Sequence, residues 1–138
     1  MRISRFFAPV SVIFIAGLVL SGCAPGMTDA EMAALPTVPA DGNFTVKQGG
    51  SVVIYGARGR NCSAVPGFGD VMGTAFRRGG SKEPKMGTLS DGGVAKRRSG
   101  SCGGEVPVRA VVYTAGNESG SDEVIFYGSD RAAITITE

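Results

Sequence analysis

Three cysteines and a run of basic side chains are the residues of this 138-residue chain whose chemistry stands out. The chain contains neither His nor Trp. Without His there is no Ser-His-Asp or Cys-His catalysis, and no imidazole switch near neutral pH. Two thiols alone are too few ligands for a structural zinc. Serines, lysines and carboxylates are present, but no spacing sets them up as a Ser-Lys or two-carboxylate pair. The expectation is a protein that is not an enzyme and holds no metal or cofactor.

The basic residues are concentrated. Between Arg58 and Arg98 lie nine of them, against the three acids Asp70, Glu83 and Asp91. From Ser101 onward Arg109 and Arg131 face six acids. Two clusters, Arg77-Arg78 and Lys96-Arg97-Arg98, flank a stretch bounded by Gly79-Gly80 and Gly92-Gly93. On neighbouring strands or loops they would make one patch for a polyanion: lipopolysaccharide phosphates, an acidic polysaccharide or an acidic protein. The competing reading is a set of solvated hairpin loops. Nucleic acid is not expected, because no aromatic residues interleave with the charges as stacking platforms.

The N-terminus reads as an address. Arg2 and Arg5 precede an uncharged stretch from Phe6 to Leu20, too short to span a bilayer and interrupted by Pro9 and Gly17. Leu20-Ser21-Gly22-Cys23 closes it and resembles a bacterial lipobox. That resemblance implies residues 1–22 as a lipoprotein signal peptide and a diacylglycerol on the Cys23 thiol. It also implies a membrane partner held through the N-terminal lipid. Ala24, in place of the Asp that retains such proteins at the inner membrane, implies the bacterial outer membrane. Loss of Arg2 and Arg5 would leave twelve basic and twelve acidic residues, a formally neutral mature chain.

Residues 23–43 read as a lipidated tether. Pro25, Pro36 and Pro39 punctuate it, and Thr28-Asp-Ala-Glu31 has the form of a capping box that starts one or two helical turns before Pro36. Residues 44–138 carry short period-two apolar runs between Gly-rich turns. The pattern is clearest at Val106–Tyr113, Val124–Tyr127 and Ile134–Thr137. Phe44–Lys47 and Ser51–Tyr55 are further strands; Val71-Met72, Thr74–Phe76 and Met86–Leu89 are weaker ones. Gly67–Gly73 reads as a turn, and no helical period is evident after Leu35. The expected fold is mostly β, a small antiparallel sandwich. With Cys23 acylated, Cys62 and Cys102 remain as an even pair in an exported chain, which predicts one disulfide.

Val111-Val-Tyr113, Gly120-Ser-Asp122-Glu-Val124-Ile-Phe126 and the closing run Arg131–Thr137 together resemble a segment of bacterial immunoglobulin-like and cadherin-like domains. Physically, Tyr113 is placed to bury its ring and hydrogen-bond across a corner, and the Asp122 carboxylate to bind loop amides. Cys62 and Cys102 do not surround a buried Trp, so an antibody-type core is not implied. The functional expectation is an envelope-anchored lipoprotein with a non-catalytic binding or structural role, its partner a polyanion or a protein. A small periplasmic enzyme inhibitor is the alternative.

Overall fold

Alternation and turn chemistry set the architecture, which the computed structural model describes for residues 26–138. Cys23 and the apolar run before it lie outside the described residues. Helices α1 (Asp29–Ala34) and α2 (Phe68–Ala75) accompany six strands. These are β1 (Gly42–Lys47), β2 (Ser51–Arg58), β3 (Gly87–Ser99), β4 (Gly104–Ala115), β5 (Gly120–Phe126) and β6 (Asp130–Thr137). They form two three-stranded sheets, ordered β1-β6-β5 and β2-β4-β3. The fold is mostly β, as the alternation predicts. One pairing departs from the antiparallel expectation: β1 runs parallel to β6, from Gly42↔Ala132 to Lys47↔Thr137. No hairpin joins these two strands, so nothing local forces them to run in opposite directions.

β4 explains the layering. Val111, Tyr113 and Ala115 face the other sheet and share the main core with Val124, Phe126, Ala132, Ile134 and Ile136. The residues of opposite parity, Val106, Val108 and Ala110, meet Val38 and Ala95 in a second, smaller core on the far face. A register shift in β2 between Val53 and Tyr55 turns both Ile54 and Tyr55 into the main core. Pro107 is tolerated in this central strand because β2 ends opposite Val108, one residue short of it.

The second core draws in part of the tether. Val38 N–H donates to Lys96 O and Lys96 N–H to Pro36 O, each at 2.9 Å, so residues 36–38 lie parallel on the free edge of β3. That edge is thereby covered. Gly56 permits the closure, because a Cβ there would sit 2.6 Å from Val38 Cγ2 and 2.8 Å from Val108 Cγ2. The Lys96 ammonium also donates to Ala33 O at 3.1 Å and pins the end of α1. The segment expected to be a spacer is thus partly built into the domain. Its helix starts as the sequence predicts: Glu31 N–H donates to Thr28 Oγ1 at 3.2 Å, and Thr28 N–H to Glu31 Oε2 at 2.8 Å.

α2 corrects the reading of residues 67–76 as a turn and two weak strands. Phe68, Val71, Met72 and Ala75 recur at helical spacing; Val71 and Ala75 are buried in the main core, and Phe68 and Met72 pack against it. Gly69 and Gly73 fall on the open side, where an added Cβ would meet nothing. A helix of eight residues is marginal alone, and packing against the end of the sandwich holds it.

The corner between the sheets follows the chemistry anticipated for Tyr113 and Asp122. The Tyr113 hydroxyl donates to Asp122 Oδ2 at 2.8 Å. The same carboxylate accepts from the amides of Met86 (2.8 Å), Lys85 (3.1 Å) and Glu123 (2.9 Å). Burial pushes the Asp122 carboxyl up, but these donors outweigh it and hold the group below the ordinary carboxylate range. Burial and the Asp122 bond together push the Tyr113 phenol up. Gly87 lies against the Tyr113 ring, and a Cβ there would be 2.6 Å from the hydroxyl.

Candidate functional site

The loop between β2 and α2, residues 59–66, is irregular yet fastened at several points. A disulfide links Cys62 to Cys102, in the β3–β4 turn, with the two Cα atoms 5.7 Å apart. The Arg109 guanidinium donates through Nε to Pro66 O at 3.0 Å. Within the loop, Asn61 Oδ1 accepts from the amides of Ser63 (3.1 Å) and Ala64 (2.8 Å), an Asx turn. Arg58, at the end of β2, donates through Nη1 to Cys102 Sγ at 2.9 Å.

This loop, α2 and the β5–β6 turn enclose a groove of about 760 Å³. Arg58 and Arg60 reach it from the loop side, Arg77 and Arg78 from the segment after α2, and Asp70 is the one acid in its lining. Arg60, Arg77 and Arg78 are exposed. None of the four arginines makes an ion pair with a described residue. Four cations lining one concavity with a single acid among them give it a positive potential.

Tyr127 forms part of the same lining. It is the one non-glycine residue with positive φ among those described, at 53°, followed by Gly128 at 78°. Ser129 N–H closes the turn on Phe126 O at 3.1 Å, and positive φ at both central positions is the type I′ pattern. For Tyr this backbone costs roughly 1 kcal/mol. Its amide offsets that cost by donating to Ala75 O at 2.7 Å, at the end of α2. The ring tilts against Tyr55, with centroids 6.5 Å apart, and the hydroxyl lies 3.4 Å from Thr74 Oγ1.

The five basic residues expected to act together are divided. Arg77 and Arg78 line the groove, whereas Lys96, Arg97 and Arg98 are absent from its lining. Lys96 is committed to Ala33 O and lies 3.8 Å from Glu105. Arg97 donates through Nε to Gly56 O at 2.6 Å, its guanidinium 5.9 Å from the centre of the Tyr55 ring. That places Arg97 over the second core rather than in a solvent-facing patch. Arg98 is exposed and stands apart. The partners of Arg77 and Arg78 are instead Arg58 and Arg60, which the sequence places in the same basic segment but on the far side of α2.

A second cleft, about 590 Å³, lies over β5 and β6. Its cations are largely neutralised: Glu123 bridges Lys82, at 3.2 Å, and Arg131. Hydrogen bonds from Arg131 and Lys82 hold the Glu123 carboxyl below its ordinary range. Among the described residues no cluster of three or more metal-ligating side chains occurs, and no helix is long and apolar enough to cross a membrane. No protein-family model, no curated protein and no solved structure matches the chain.

Proposed function

We propose that this protein is an outer-membrane lipoprotein whose β domain has a non-catalytic role, binding an anionic ligand through the arginine groove. The observation that carries the reading is one concavity lined by Arg58, Arg60, Arg77 and Arg78 against a single acid, with none of the four in an ion pair with a described residue. Unpaired arginines offer forked donors that match phosphate, sulfate and carboxylate oxygens. Leu20-Ser21-Gly22-Cys23 supports the lipid anchor, and the Cys62–Cys102 bridge supports an oxidising compartment.

Two measurements test this. Binding to heparin, a polyanion, should weaken by at least about tenfold in the Arg60→Ser/Arg77→Ser variant, on the scale of roughly 1 kcal/mol for each exposed charge removed. Arg98→Ser, outside the groove, should change it by less than about twofold. Equal losses from both variants would make the groove irrelevant. For the anchor, Cys23→Ser should abolish acylation and release at the Gly22–Cys23 bond, read by mass spectrometry of the membrane fraction. A variant still processed at that bond and still membrane-bound would refute the lipid assignment.

A further inference from the structure

We infer that the groove's ligand is the phosphate of anionic lipid headgroups in the membrane that holds the protein's own anchor. This rests on the proposed anchor and on the anionic reading of the groove, and it adds where the ligand is. The first described residue, Gly26, lies against the groove loop: a Cβ there would sit 3.9 Å from Ser63 Cβ. Ser63 belongs to the same Asx turn as Asn61 and Ala64, which line the groove beside Arg60. Only two residues, Ala24 and Pro25, separate Gly26 from Cys23, a covalent reach of at most about 11 Å. An acylated Cys23 sits at the hydrocarbon boundary, so the groove loop is confined within about that distance of the headgroup phosphates.

The rest of the N-terminal segment points the same way. It does not lift the domain clear of the surface, because Lys96 binds Ala33 O and residues 36–38 extend the edge of β3. A domain docked on its own leader is held close to the bilayer. There the attraction of anionic lipid for each Arg or Lys is roughly 1 kcal/mol and falls off within a screening length. Tyr127 suits the same position, since an aromatic ring with a polar tip favours the interface. A soluble acidic protein would have to enter the same narrow space between domain and membrane, which makes it the less favoured occupant.

The test is amide hydrogen exchange on the purified full protein, carried in vesicles of phosphatidylcholine or of phosphatidylcholine with about 30% phosphatidylglycerol. Residues 58–66 and 76–80 should exchange at least about fivefold more slowly in the anionic bilayer, the factor that corresponds to a single retained charge contact. The Arg60→Ser/Arg78→Ser variant should lose that difference while β4 keeps its protection, which reports an intact fold. Equal rates of the native protein in the two bilayers would overturn the inference. If heparin added to the neutral vesicles then slows the same segments, the anionic reading survives and the lipid assignment fails. If neither does, both fail. Protection by inorganic phosphate alone, without a bilayer effect, would identify a free ion and likewise overturn the lipid source.

Discussion

Asp122→Ala is expected to lower the melting temperature by roughly 10–20 °C. The carboxylate accepts from three backbone amides and from the Tyr113 hydroxyl, and it is 7% exposed. Removing it leaves a fully buried phenol and the Lys85 and Met86 amides without their acceptor. Charge-assisted bonds and the stranding of buried donors together amount to about 3 kcal/mol. For a domain of this size each kcal/mol is worth roughly 4–8 °C. The pH dependence has a definite sign. The folded-state pKa lies below the unfolded one, so the contribution is complete above the unfolded carboxylate value of about 3.9 and is lost as pH falls through the folded pKa. The native protein and the variant should therefore differ most near neutrality and converge in acid. Thermal melts at neutral and strongly acid pH check both statements, and a variant melting within a few degrees of the native protein at neutral pH would refute them.

Breaking the disulfide is expected to act on stability and on the groove at once. Cys62 and Cys102 are 40 residues apart, and freeing a loop of that length costs roughly 4 kcal/mol through the unfolded chain. The Cys62→Ser/Cys102→Ser variant should melt roughly 15–25 °C lower. At temperatures where it remains folded, heparin binding should also weaken, because the bridge fastens the loop that carries Arg60 and because Arg58 rests on Cys102 Sγ. Calorimetry with a binding curve at 10 °C separates the two effects. Unchanged binding in a folded, unbridged protein would show that the arginines are placed without the covalent link.

Two of the strands that the sequence announces have one dry face and one wet one, and β4, the third, is buried on both. Val124 and Phe126 on β5, and Ile134 and Ile136 on β6, alternate cleanly because only one side of their sheet is buried. β3 is harder to see. Its residues pair with β4 across a register shift between Asp91 and Val94, and most of them are not buried, so no apolar rhythm marks the strand. Two glycines obscured α2, although the spacing of Phe68, Val71, Met72 and Ala75 carried the helical signal. The corner was legible because Tyr113 and Asp122 lie nine residues apart, flanking a polar turn.

The groove was only half legible. Arg77 and Arg78 stood out as a doublet, but grouping them with Lys96-Arg97-Arg98 relied on nearness along the chain. Packing breaks that grouping: Arg97 reaches from β3 to the Gly56 carbonyl and is spent on that bond. The alternation reads Tyr127 as the last residue of a strand, whereas β5 ends at Phe126 and Tyr127 begins the turn. Its place in the groove depends on a left-handed backbone that only the β5–β6 register and the Ala75 carbonyl define.

The parallel pairing of β1 with β6 has a mechanical consequence. Once residues 36–38 have parted from β3, a chain held at its N-terminus and pulled at its far end loads the start of β1 and the finish of β6. In parallel strands these points lie at opposite ends of the ladder, so tension runs along the strands rather than across them. The rungs from Gly42↔Ala132 to Lys47↔Thr137 then resist together instead of parting one after another.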